Sequence, residues 1–386
     1  MPRKLSDTST MIATIRSDVP LPSLANGAPT RAMGSLLTTA VLLTLASAAA
    51  FLAEFISLPL PFLIGPLIFS GLMAATLSER LPDGYRFPPK LRLVFIAIIG
   101  LTIGAQVTPE LFSHADRLAL SAVALIVFVV AAQAIGYFVF RHIGHYDAPT
   151  AFYAAAPGGL FEAIAMGEEA RGDPAKLTMQ QFLRIIVVVT LLPIGLSLWI
   201  GTPVGSSAGM TLAASDVPLW SVPVTLSAGL VGFALGHLLR FPAKQLTGPM
   251  AVAAALTLSG LLSIDIPQWL INVAQVVVGT ALGMRFKGLN PSILLEGIWL
   301  NLIAVGGMLL LSGLFAFALM STMEQPFDVM LISFAPGGVT EMSLVALSLA
   351  ANPALVTLHH VFRILITVVG LAISARWFRQ STPPLS

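Results

Sequence analysis

Four charged residues stand in stretches that are otherwise apolar. Glu162 and Glu341 each follow the same element, Ala-Pro-Gly-Gly, and each is followed 22 residues later by an arginine, Arg184 and Arg363 (184 − 162 = 363 − 341 = 22). A charge left unpaired in hydrocarbon is expensive, so such residues point to ion or solute handling. A glutamate there can bind a coupling proton or a cation, and an arginine can hold substrate charge or release the glutamate. The plainer reading is a Glu–Arg ion pair that locks one segment against its neighbour; breaking such a pair is costly whether or not it has a function.

The elements that must position these charges are themselves repeated. Ala156-Pro157-Gly158-Gly159 recurs as Ala335-Pro336-Gly337-Gly338, 179 residues on (335 − 156 = 179). At that offset Gly100, Gly104, Pro174 and Thr178 fall on Gly279, Gly283, Pro353 and Thr357. Upstream, Pro59-x-x-x-Leu63-x-Gly65-Pro66 matches Pro242-x-x-x-Leu246-x-Gly248-Pro249 at an offset of 183 (242 − 59 = 183). Rare residues kept in register across two halves mark an internal duplication. Pro-Gly-Gly inside an apolar segment removes a helical hydrogen bond and leaves permissive backbone, so a break is expected there. The Gly65-Pro66 and Gly248-Pro249 pairs read either as helix starts, where a proline costs no hydrogen bond, or as cavity lining.

The solvent of this chain is lipid. Of its 386 residues 56% are hydrophobic and 10% charged, with a mean hydropathy of +0.90, whereas a water-soluble domain carries about 25% charged residues. Spanning about 30 Å of hydrocarbon takes about 20 apolar residues, and six such segments are expected in each copy. They are 35–57, 62–78, 91–110, 117–140, 149–170 and 179–200, then 219–239, 246–264, 268–284, 292–320, 327–350 and 357–375. Residues 1–34, polar and bearing Arg3, Lys4, Arg16 and Arg31, are expected to form a disordered cytoplasmic tail. The units are then membrane repeat 1 over 35–201, a periplasmic linker over 202–218 and membrane repeat 2 over 219–380.

Positive charge selects the threading, because cytoplasmic loops are rich in Lys and Arg. With all twelve segments spanning, eleven basic residues lie inside and seven outside. If each fifth segment enters and leaves on one side, seventeen lie inside and one, Arg117, outside; Arg184 and Arg363 lie within helices, which completes the 20. The expected fold is therefore an all-α integral membrane protein of about ten transmembrane helices. Its two repeats are inverted, each carries a re-entrant Pro-Gly-Gly segment, and both termini face the cytoplasm of a bacterial inner membrane. Inverted repeats with broken helices recur in secondary transporters, with binding near the midplane.

Other chemistries lack their residues. There is no cysteine, which removes thiolate metal sites, Fe–S clusters and thiol catalysis. The six histidines, His114, His142, His145, His237, His359 and His360, form no ligand pattern. His359 and His360 align with Gln180 and Gln181, which points to a polar face near the site and not to a metal. No Walker motif, nucleophile elbow or dinucleotide fingerprint occurs. No cofactor, metal or enzymatic activity is expected.

In its doubled L-x-G-P and A-P-G-G-x-x-E elements the chain resembles the AbrB membrane protein family, over about residues 36 to 380. Members carry an internal duplication of this kind and are labelled ammonia monooxygenases or transcriptional regulators. The residues support neither label: a copper or iron monooxygenase needs clustered ligands, and a DNA-binding regulator needs a soluble basic domain. The resemblance implies a fold and a membrane location. Two functions follow. The first is a secondary transporter moving a small solute or ion by alternating access, coupled to protons or cations. The alternative is a membrane-embedded sensor or regulator that binds a small ligand without moving it. The expected partners are the lipid bilayer and a small solute or ion, without nucleic acid; association into a homo-oligomer is left open. The site is expected to comprise Pro157, Gly158, Gly159, Glu162, Arg184, Pro336, Gly337, Gly338, Glu341 and Arg363, with Gly65, Pro66, Gly248 and Pro249.

Overall fold

The computed structural model describes residues 28–82, 84–109, 115–204, 221–262, 264–288, 291–349 and 353–380. The expectations for the leader before residue 28, for most of the 202–218 linker and for His114 lie outside them. The described residues form helices without strands, and the helices repeat as a set of seven. The first set is α1 (Ala28–Phe55), α2 (Pro61–Thr76), α3 (Pro89–Gly104), α4 (Ala115–Phe138), α5 (Ala148–Ala154), α6 (Leu160–Glu169) and α7 (Pro174–Ile200). The second is α8 (Ser221–Leu238), α9 (Lys244–Leu258), α10 (Gln268–Gly283), α11 (Pro291–Met323), α12 (Phe327–Phe334), α13 (Val339–Ser348) and α14 (Pro353–Gln380). Helix α1 begins at Ala28, inside the stretch expected to be tail, because Pro29 in its first turn is compatible with helix entry.

Among the described residues six helices are long and apolar enough to cross a membrane: Ser35–Phe55, Asp116–Ile143, Pro174–Ile200, Gln268–Phe286, Leu294–Met323 and Pro353–Ser374. The chain is thus a multi-pass, all-helical membrane protein, and large apolar side chains such as Leu310 and Phe317 stand on its outer surface. Helices α2, α3 and α9 have 16, 16 and 15 residues. At 1.5 Å per residue they rise about 24 Å, less than the hydrocarbon thickness. The apolar windows overran them because hydropathy does not register a backbone stop such as Gly260, which has φ +68°.

The two sets pack on each other by exchange. A Cβ placed on Gly100 of α3 would lie 2.3 Å from the Leu246 carbonyl oxygen of α9, and one on Gly279 of α10 would lie 2.3 Å from the Leu63 carbonyl oxygen of α2. One turn on, Gly104 meets Met250 and Gly283 meets Leu67 in the same way. Each contact maps onto its counterpart by the offsets 179 and 183, so the interface has pseudo-twofold symmetry. Glycine is required at these four positions because backbone lies against backbone, the small-residue mode of helix packing in lipid. Leu63, Leu67, Leu246, Val278 and Leu282 belong to one buried cluster at this junction.

The Gly-Pro pairs serve a second set of close crossings. Gly65 lies against the carbonyl of Ala49 and the side chain of Ala53 in α1, and Gly248 lies against Gly232 and Gly236 of α8. Pro66 and Pro249 are each the sixth residue of a helix that begins at Pro61 or Lys244. They are not helix starts, which corrects the first of the two readings offered for them. A proline in the second turn leaves one carbonyl without its helical donor.

Candidate functional site

The repeated Ala-Pro-Gly-Gly elements sit between short helices. Asp147 caps α5 by accepting from the Thr150 N–H at 3.1 Å. The helix stops before Pro157, since the residue preceding proline is driven out of the α region. Gly159 takes φ +62° and α6 starts at Leu160. Asp173 then caps α7, accepting from the N–H groups of Ala175 and Lys176 at 2.9 and 3.2 Å, with Pro174 in the first turn.

Helices α5 and α6 form a hairpin. The Asp173 N–H donates to Thr150 Oγ1 at 2.8 Å, so the residue before α7 touches the first turn of α5. A Cβ on Gly167 would lie 3.0 Å from Cβ of Tyr153, which brings the two helices into contact. A straight interrupted helix would hold residues 150 and 173 at opposite ends.

The arginines do not pair with the glutamates. Arg184 donates through Nη1 to the carbonyl of Ala156, and Arg363 donates through Nη1 to the carbonyl of Ala335. Arg363 also donates through Nη2 to the Gly337 carbonyl at 2.5 Å. Three residues earlier on the same helical face, Gln181 donates to the Tyr153 carbonyl at 2.8 Å, and His360 Nε2 bonds the Ile332 carbonyl at 3.0 Å. Tyr153 and Ile332 are again related by 179. In each copy, then, the last helix sends a two-residue clamp to the open carbonyl end of the first half-helix. The Tyr153 and Ile332 carbonyls also accept the N–H groups of Ala156 and Ala335 at 3.4 and 3.2 Å, and a cation at this end complements the helix dipole. All four clamp residues are buried.

The glutamates sit at the opposite polarity. Glu162 and Glu341 lie in the first turns of α6 and α13, where free N–H groups favour a carboxylate. Their surroundings differ. Glu341 is buried, and its Oε2 lies where a Cβ on Gly338 would come within 2.0 Å; Glu162 is exposed. Among the described residues neither forms an ion pair with Arg184 or Arg363.

The breaks themselves are also unequal. In copy 1, Gly158 faces Thr367 Oγ1, and Gly159 faces Val368, both on α14. That brings the first break against the helix that carries Arg363. In copy 2, Gly337 is covered by Met342 of its own α13.

A buried polar chain surrounds the first clamp. Gln180 donates to the Tyr146 hydroxyl at 2.7 Å and accepts from Asn301 of α11. Tyr146 lies outside the long spans; burial raises its phenol above the usual range, while the Gln180 hydrogen bond lowers it. The counterpart of Gln180, His359, bonds Ser121 Oγ at 3.0 Å through Nε2 and the Leu355 carbonyl at 2.9 Å through Nδ1.

Asn301 and Tyr146 carry no motif or repeat in the sequence that marks them as part of this polar chain. The clamp was partly legible, since Gln181 and His360 align and precede their arginines by one helical turn. Gly65 and Gly248, each followed by proline, stand at helix crossings. No group of three or more His, Asp and Glu able to hold a metal occurs among the described residues.

The family model described as "Transition state regulatory protein AbrB" matches residues 70–379. A protein of Escherichia coli (strain K12) named "Putative regulator AbrB" is 24% identical over 355 residues, covering 89% of this chain and 97% of that protein. "Uncharacterized protein YhjN" of Bacillus subtilis (strain 168) is 24% identical over 354 residues, covering 85% of this chain and 90% of its own length.

Proposed function

Since this chain belongs to the AbrB family, we propose that it is a secondary transporter moving a small solute or ion by alternating access, coupled to protons or cations. One observation carries the reading. Two helix breaks of the same design, each clamped by the last helix of its own copy, both lie against α14, the first along Arg363 to Val368 and the second at the Arg363 guanidinium. Irregular backbone at membrane depth is tolerated where it is buried in protein or lines a cavity, and transporters use it for binding.

The threading we propose has ten spans, with α5–α6 and α12–α13 re-entrant from opposite faces and the repeats inverted. Three contacts support it. The Leu60 N–H donates to the Val204 carbonyl at 2.9 Å, Arg117 pairs with Glu324 at 2.6 Å, and Lys287 donates to the Tyr85 carbonyl at 3.0 Å. Each joins two segments that share a face in the ten-span threading, and twelve spans would put them on opposite faces. Helices α2, α3 and α9 then cross as short spans beside longer neighbours, a mismatch that membrane proteins accommodate by tilt or local thinning. Both termini lie in the cytoplasm and the membrane is the bacterial inner membrane, following the bias of basic residues.

In this mechanism the carbonyl clamps hold the hairpins as rigid bodies, and the glutamates carry the exchangeable charge. Buried Glu341 and exposed Glu162 correspond to one side closed and the other open, as expected of inverted copies caught in one state. Gating of one copy against the other would exchange those environments.

A second reading, a sensor or regulator that binds without transport, is supported by the printed names of the family and of the Escherichia coli protein. A thermal-shift screen of the purified protein against organic anions, amines and cations, followed by counterflow in proteoliposomes with whatever binds, separates the two. Accumulation of labelled ligand against no gradient of its own supports transport. Saturable binding with no flux in either direction overturns it in favour of sensing.

A further inference from the structure

We propose that the cleft between α3 and α8 holds one acyl chain of an anionic phospholipid whose headgroup lies at Lys90. The cleft encloses about 540 Å³ and is lined by Leu93, Ala97 and Leu101 of α3 and by Leu226, Gly229 and Phe233 of α8. That volume is in the range of ligand sites, which run from about 300 to 1,000 Å³. Lys90 is the one charged residue among its lining residues and stands at the end where α3 begins. From Lys90 to Leu101 the cleft follows eleven residues of helix, about 16 Å at 1.5 Å per residue. This is close to half of a hydrocarbon core of about 30 Å, the depth of a single leaflet.

The pseudo-twofold supplies a comparison within the molecule. The counterpart of Gly229 is Ala46 and that of Ala97 is Val276 (229 − 183 = 46; 97 + 179 = 276). There α1 closes directly on α10, with Ala46, Ala50 and Val276 packed in one buried cluster. Repeat packing therefore does not require a cleft at this position. The charged end is one-sided, for the counterpart of Lys90 is Trp269 (90 + 179 = 269). A long apolar slot with a lysine at one end matches a lipid with an anionic head, and basic pockets between membrane helices take such headgroups. Leu226 and Leu230 are exposed along the slot, so a chain can enter sideways from the bilayer.

Gly229 offers the means of filling the slot. A Cβ there would meet Leu101 Cδ1 at 3.4 Å, an ordinary contact. The test is native mass spectrometry of the full-length protein in mild detergent, supplied with phosphatidylglycerol, phosphatidylethanolamine or oleate. Wild type is expected to retain one phosphatidylglycerol in preference to the other two. Gly229→Leu and, from the opposite wall, Ala97→Leu are expected to lose it with an unchanged Tm. Lys90→Gln is expected to bind phosphatidylglycerol about five-fold more weakly, the weight of one basic residue near an anionic headgroup. If both filling variants misfold, Lys90→Gln decides. Equal retention of the two phospholipids by wild type and Lys90→Gln overturns the proposal. So does retention by both folded filling variants, a preference for oleate, or a dimer that the filling variants dissociate.

Discussion

The backbone N–H of Asp173 donates to Oγ1 of Thr150 at 2.8 Å. Twenty-three residues of chain therefore leave and return to the same place, and the Pro-Gly-Gly break lies at the far end of that excursion. Whatever face of the membrane holds Thr150 also holds the start of α7.

Labelling tests this directly, because the chain has no cysteine to give background. A cysteine introduced at exposed Glu169 is expected to react with an impermeant thiol reagent only from the cytoplasmic side. One at exposed Thr202 is expected to react only from the periplasm. Labelling of Glu169 from the periplasm and of Thr202 from the cytoplasm would restore six crossings in copy 1 and remove the inverted symmetry.

The carbonyl clamp predicts a stability cost at the arginines. Arg184→Gln and Arg363→Gln leave buried carbonyls short of donors, a penalty of about 1–3 kcal/mol for each unsatisfied group. Arg363 holds two carbonyls and Arg184 one, so Arg363→Gln is expected to lower the Tm further. Equal Tm values for both variants and wild type would show that the clamps do not hold the hairpins.

The glutamates should behave in the opposite sense. Glu341→Gln keeps the shape of a buried side chain that has no ion pair with Arg363, so Tm is expected to change little while transport is lost. Gly338→Ala is a sharper probe. Its φ of −77° suits alanine, but the new Cβ would fall 2.0 Å from Glu341 Oε2 and push the carboxylate away. We expect Gly338→Ala to reproduce the Glu341→Gln flux defect. Normal flux in both variants would remove Glu341 from the mechanism.

Close helix crossing predicts a contrast between glycines. Gly100→Ala and Gly279→Ala place a methyl 2.3 Å from a backbone carbonyl oxygen, and overpacking of this kind costs about 1–3 kcal/mol. Gly195, inside α7, has nothing within 4 Å. Gly195→Ala should leave stability unchanged or raise it by up to about 1 kcal/mol, the difference in helix propensity. Thermal unfolding in detergent measures all three, and a similar loss at Gly195 would break the argument.

The sequence by itself determined the solvent, the duplication and the breaks. Each is a local property: 56% hydrophobic residues require lipid, proline followed by two glycines disfavours a continuous helix through its own backbone, and a repeated Pro-Gly-Gly-x-x-Glu needs no contacts to be seen. Even the polar face of Gln181 and His360 followed from alignment alone. What Arg184 and Arg363 hold was decided by the tertiary structure. A guanidinium accepts a carboxylate or a carbonyl equally well as partner, and spacing along the chain does not say which lies within reach. Only packing brought the carbonyls of Ala156 and Ala335 to them and left both glutamates without an arginine partner from that pair. The unequal burial of Glu162 and Glu341 has the same origin: two copies that share the Ala-Pro-Gly-Gly-x-x-Glu element differ because the first break lies on α14 and the second is covered by its own Met342.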